Sequence, residues 1–412
     1  MLKKLHVNSE NSESVSLWFL FWNFFKIGST AFGGFMALIS VVENRMVRRH
    51  KLLTHEDMLD GISLATVLPG PVAANVVAYV GYRLRRTNGA VVSAIGVLLP
   101  SFILVIGLTI AYLQAGEIPA LQKAFAGFIP AVAAIILSAA RRMSKKAIKG
   151  WREVVIALIA AVLLKVVGGF YITVLVVVGS GLVGWLWLGD TKHSGQENSQ
   201  AQPIQESIQG ISWLKLSVTL LILLSFPLLS MIPLPFLGET SLAKLFVTFS
   251  GMSLMLFGGG YVFIPLIQEV VVNTYGWVTQ TEFANAIAIG QITPGPILIS
   301  AAFIGYVVKG ISGAIVATVG IFLPPGLLMV TCSHLLKHIK ESTVIQAALK
   351  GIRPAVIGMI ITAAIVVAGS AEFHVGSLVI FGAALVAMWR FRVKVLFIIP
   401  IAGILGLVLY SI

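Results

Sequence analysis

The chain has 412 residues, of which 58% are hydrophobic and 11% charged, with a mean hydropathy of +0.96 and a formal net charge of +13. These values exclude a soluble domain. The positive charge does not point to nucleic acid, because the basic residues fall in short clusters between apolar runs, where cytoplasmic loops of membrane proteins carry them. A single cysteine, Cys332, excludes an internal disulfide and any multi-cysteine zinc cluster.

Residues 1–15 form a polar tail with Lys3 and Lys4, and no cleavable leader is expected, since Asn8 to Ser14 precedes the first apolar run without a small-residue cleavage pattern. The run from Trp18 to Val42 is broken by Lys26, Gly28 and the triplet Phe32-Gly33-Gly34, and a basic loop of Arg45, Arg48, Arg49 and Lys51 follows. Thr54 with Glu56 and Asp57 is a helix start, the hydroxyl capping the first turn and the acids opposing the dipole. That helix ends at Leu68-Pro69-Gly70-Pro71. Each proline lacks an N–H and clashes with the preceding turn, so one helix must stop and another begin. Pro71 suits the first helical position and leaves the N–H groups of Val72 and Ala73 facing the break. Both outer ends of the stretch are basic, so residues 55–84 read as a re-entrant hairpin with Pro-Gly-Pro at its tip; the alternative is one kinked span.

Four apolar segments follow near 89–113, 120–140, 153–168 and 171–188, with the basic cluster Arg141 to Lys149 after the second. The stretch 190–210 is rich in Ser, Gln, Asn and Gly and reads as a linker between a first repeat over 16–189 and a second over 242–412, with an apolar connecting segment at 211–241. The second half restates the first. Phe257-Gly258-Gly259, Thr279 and Thr293-Pro294-Gly295-Pro296 repeat their counterparts at an offset of 225, and Gly305-Tyr306, Gly313-Ala314, Leu323-Pro324 and Pro354 continue at 224. The loop charges are reversed: Asn273 to Thr281 has no Lys or Arg where the first half is basic, while Arg390, Arg392 and Lys394 replace the uncharged Val166 to Phe170. An all-α polytopic membrane protein of two inverted-topology repeats with broken or re-entrant helices is expected, and in that architecture substrates bind at the breaks near the midplane.

The paired Phe-Gly-Gly and Pro-Gly-Pro motifs, with their Gly-Tyr and Leu-Pro followers and Glu269-Val270, resemble the chromate ion transporter family over nearly the whole chain. The chain departs from that pattern at Phe35, where a proline is usual, and at Thr66, where a glutamine is common; Gln291 keeps the matching place. The resemblance implies a bacterial inner-membrane secondary transporter exporting chromate, a tetrahedral dianion like sulfate, and conferring chromate resistance. A sulfate carrier and a non-transporting membrane-complex subunit are the other readings.

Candidate substrate-binding residues are Pro69, Gly70, Pro71, Val72, Ala73, Asn75, Gln291, Pro294, Gly295 and Pro296, together with Gly33, Gly34, Gly258 and Gly259 as a second pair of breaks or as helix-packing contacts. Lys26, among apolar neighbours, either faces a polar cavity or snorkels to the surface. Asp60 is a candidate coupling carboxylate, or else an ion-pair partner. Arg353 breaks the repeat, its counterpart being Ile129, and either carries substrate charge or caps a helix. His334 and His338 beside Cys332 read as an interfacial turn rather than a metal site. No cofactor is expected, because the sequence has neither a Walker loop nor a His-Glu-x-x-His motif, which also argues against an enzyme. The expected partners are a small inorganic anion and the lipid bilayer; a homo-oligomer is compatible with the sequence.

Overall fold

In the computed structural model the described residues are 15–32, 35–114, 118–168, 170–188, 225, 240–257, 261, 263–333, 342–371 and 374–410. The linker 190–210, nearly all of 211–241, the glycines at 33, 34, 258 and 259, and the histidines at 334 and 338 lie outside them.

The first half contains α1 (Leu17–Thr30), α2 (Phe35–Glu43), α3 (His55–Val67), α4 (Val72–Gln114), α5 (Pro119–Ala147), α6 (Trp151–Val166) and α7 (Phe170–Leu188). The second contains α8 (Leu242–Ser253), α9 (Phe263–Gln268), α10 (Gln280–Ile292), α11 (Ser300–Cys332), α12 (Thr343–Gly369), α13 (Val375–Trp389) and α14 (Val395–Leu409). Among the described residues, α4, α7, α11, α12 and the stretch Gln122–Lys145 of α5 are long and apolar enough to span a bilayer.

Local geometry recurs at the offsets seen in the sequence. Ser16 caps α1 and Ser241 caps α8, each accepting a hydrogen bond from the third backbone N–H beyond it. Thr54 with Asp57 and Thr279 with Glu282 form matching capping boxes. A π-helical turn follows α2 at Asn44–Arg49 and α9 at Glu269–Thr274. Two residues with non-helical dihedrals bend α4 at Arg85-Arg86 and α11 at Lys309-Gly310. The basic stretch at 83–86 is therefore a two-residue reversal: the backbones of Gly81 and Gly89 touch, which a straight helix would hold about 12 Å apart.

The stretch 55–84 folds back on itself. Asp57 and Arg83, equally far in sequence from Gly70, form an ion pair at 2.9 Å, and Gly61 packs on the Tyr79 ring. A single kinked span would hold Asp57 and Arg83 at opposite ends, roughly 39 Å apart at helical rise. The chain thus enters and leaves on one side, with Pro-Gly-Pro at the tip.

The two halves interleave. α4 packs against α11 at the centre; α5 packs against α12, α13 and α14, while α12 packs against α5, α6 and α7. Close approach depends on small residues: Gly127 meets the backbone of Ala402 and Gly406, and Gly351 meets that of Ser180 and Gly184. Apolar side chains such as Leu158, Val162, Leu378 and Ile404 are exposed on the outer helices, a surface suited to lipid.

Candidate functional site: two helix breaks that meet

α3 and α10 end alike. Leu68 and Thr293, each preceding a proline, adopt extended conformations with ψ of 150° and 148°. The next glycines lie in the left-handed region, Gly70 at φ 108° and Gly295 at φ 99°, where an L side chain is strained. Each glycine N–H then crosses to the other half. Gly70 donates to the Leu256 carbonyl at 2.7 Å, and Gly295 donates to the Ala31 carbonyl at 3.0 Å. Ala31 and Leu256 are the residues immediately before the two Phe-Gly-Gly motifs.

A second exchange supports the first. A Cβ at Gly70 would run into the Pro325 ring, and one at Gly295 into the Ser101 hydroxyl. Pro325 and Ser101 follow the paired Leu-Pro motifs of α11 and α4, and the Ser101 hydroxyl donates to the Pro294 carbonyl. Each Pro-Gly-Pro tip is therefore seated on two motifs of the opposite half. Ala31, Leu256, Ser101 and Pro325 escaped the sequence reading, although the last two sit beside the matched Leu-Pro pairs.

Between the tips lies a small pocket lined by Pro71, Val72 and Ala73 from one break, Pro296, Ile297 and Leu298 from the other, and Tyr261. Its volume of about 20 Å³ is room for roughly one water. The first-turn N–H groups of a helix have no intrahelical acceptor and carry the positive end of its dipole, so two such starts facing one pocket favour an anion. The second start is a 3-10 turn, in which the Ile299 N–H bonds the Pro296 carbonyl at 3.0 Å. Fully buried Asn75 donates to the Pro69 carbonyl at 3.2 Å, and its Oδ1 has no hydrogen-bond partner among the described residues. The Nε2 of Gln291 is likewise buried without a hydrogen bond among the described residues. Tyr261, also absent from the sequence reading, carries the Arg142 guanidinium over its ring at 5.9 Å.

Lys26 stands apart from this group. It is exposed and lies over the Trp22 ring at 5.5 Å, on a face of α1 that also carries exposed Trp18. Asp60 is half-buried on α3. Arg353 is exposed in the middle of α12.

A larger cavity of about 360 Å³ opens beside α10, lined by Tyr112, Gln122, Phe125, Ala126, Ile129, Thr281, Glu282, Asn285, Ser370 and Tyr410 among others. Asn285 is buried, and neither its Oδ1 nor its Nδ2 has a hydrogen-bond partner among the described residues. Among the described residues, no lysine or arginine lines this space.

Interleaved apolar helices broken at two facing tips define a multi-pass all-α membrane protein. The chain belongs to the chromate transporter family, whose profile matches residues 18–185 and 243–407. It is 29% identical over 390 residues to the chromate transport protein of Cupriavidus metallidurans, covering 94% of this chain and 92% of that one. It is 30% identical to a probable chromate transport protein of Synechococcus elongatus, with 94% of each covered. The uncharacterized transporter YwrA of Bacillus subtilis matches at 34% over 166 residues, which is 39% of this chain but 93% of that protein. No solved structure gives a significant match.

Proposed function

We propose that the protein is a secondary transporter that exports chromate, or a tetrahedral dianion of the same kind such as sulfate, across the bacterial inner membrane and so confers chromate resistance. The observation that carries this reading is the meeting of both Pro-Gly-Pro helix starts around one pocket, each held there by a hydrogen bond to the opposite half. A dianion between two helix N-termini receives backbone donors and about half a positive charge from each, which replaces part of the hydration it gives up. Substrate-binding roles go to Val72 and Ala73, to the backbone around Pro69, Gly70, Pro71, Pro294, Gly295 and Pro296, and to Asn75 and Gln291 as polar neighbours. The Gly70 and Gly295 N–H groups serve the scaffold, because they are already bonded to carbonyls.

The reversed loop charges support inverted topology, with α3 entering from the cytoplasmic side and α10 from the opposite one. The closed pocket is smaller than a tetrahedral oxyanion, so loading requires the tips to part, and rocking of one half against the other supplies that motion. Uptake of labelled chromate into inside-out vesicles under imposed proton and electrical gradients, with sulfate as competitor and a monovalent anion as control, tests the function. Uptake that sulfate reduces supports it; flux indifferent to excess chromate and sulfate alike overturns it.

A further inference from the structure

Of the ten residues from Gly351 to Ile360 in α12, nine are buried and one, Arg353, is exposed. It lies roughly 15 Å along the helix from its first residue, and among the described residues it forms no ion pair or hydrogen bond. A guanidinium facing lipid at that depth would cost about 3 kcal/mol or more, so the exposed face of Arg353 opens on water.

The repeat says which water. α12 packs against α3 as α5 packs against α10. In the second of these pairs Ala126, Ile129 and Asn285 share the lining of the 360 Å³ cavity. The repeat offsets carry Ala126 to Lys350, Ile129 to Arg353 and Asn285 to Asp60. Lys350 is exposed like Arg353 and stands three residues before it, on the same side of the helix. The neutral wall of one cavity thus corresponds to a charged wall on the side where α3 begins.

We infer that the space between α12 and α3 is a second vestibule and that Arg353 receives the oxyanion there before it reaches the break pocket. The planar guanidinium offers two parallel N–H groups to two oxygens of a tetrahedral anion, and Lys350 adds a second charge at the mouth. The opposite vestibule has Ile129 in this place, and its Glu282 carboxylate, unlike its counterpart Asp57, has no arginine at the matching place, so it does not retain a dianion. This difference between the cavity beside α10 and its counterpart favours loading from the α3 side. The inference rests on the transport reading above.

The test is the initial rate of labelled chromate flux against concentration, in inside-out and right-side-out vesicles carrying the full chain. Arg353→Gln should raise KM about tenfold from the α3 side and change it less than twofold from the other, with Arg353→Lys between Gln and wild type. Lys350→Gln, at an exposed position, should raise the same KM by two- to fourfold. Unchanged KM in both orientations, or an equal rise in both, overturns the vestibule assignment. Wild-type vesicles that move neither chromate nor sulfate overturn the transport reading and this inference together, whereas normal wild-type flux with a flat Arg353→Gln response overturns only the inference.

Discussion

The Gly70 amide donates to the Leu256 carbonyl at 2.7 Å, and the same bond recurs between Gly295 and Ala31 at 3.0 Å. The break in each half is therefore latched to the Phe-Gly-Gly approach of the other. A motion that opens one tip must strain or release a bond to the opposite repeat, which couples the two tips physically.

The glycines test that coupling. Gly70→Ala should abolish transport, because its Cβ overlaps the rigid Pro325 ring and φ of 108° adds about 1–2 kcal/mol of backbone strain. Gly295→Ala should also be impaired, but differently. Its clash is with the Ser101 hydroxyl, whose Cβ stands 3.4 Å away, so adding Ser101→Ala removes the overlap and should restore part of the flux. Flux assays on the single and double variants check this; a Gly295→Ala defect indifferent to Ser101→Ala would show that the clash is not its cause.

Inverted topology gives a labelling pattern. In a Cys332→Ser background, single cysteines replacing Ser144 and Ala371 should fall on opposite sides of the membrane, since Ser144 lies in the basic cluster and Ala371 in the uncharged counterpart region. A membrane-impermeant thiol reagent on intact cells should label the cysteine at 371 and spare the one at 144. Equal labelling would remove the inverted arrangement.

The Asp57–Arg83 ion pair closes only one of the two hairpins. Its counterparts in the second half are Glu282 and Val307, so Glu282 has no arginine at the matching place. Asp57→Asn keeps an oxygen for the Thr54 cap and loses the charge, and should lower stability by about 2 kcal/mol. Glu282→Gln should have a smaller effect. Thermal unfolding of the purified variants in one detergent provides the comparison, and equal losses would mean that the ion pair adds nothing beyond the cap.

Much of this architecture was legible because its determinants are local. Proline pairs end helices wherever they occur, Thr54 with Asp57 and Thr279 with Glu282 form caps within four residues, and a repeat offset is visible without any fold. The hairpin was legible from charge at its ends, and Asp57 meets Arg83 across it. What the sequence withheld is nonlocal. Nothing near Gly70 announces that its N–H goes to Leu256, or that Pro325 fills the place of a Cβ. Lys26 illustrates the other limit: a lone charge in an apolar run demands water or a partner, but only the packing of α1 against α4 shows that this lysine faces outward beside Trp22. Nor does the sequence show that two residues suffice for the reversal at Arg85-Arg86, which they do because Gly81 and Gly89 let the adjoining helices touch.

The central claim is that both breaks together form the anion site, and removing one break at a time tests it most directly. Pro69→Ala with Pro71→Ala should let the first helix continue and consume the donors of Val72 and Ala73; Pro294→Ala with Pro296→Ala should do the same at the second tip. The measurement is sulfate-competed chromate flux in inside-out vesicles, at matched amounts of membrane-inserted protein. The account expects each double variant alone to abolish flux, and normal flux in either one would contradict it.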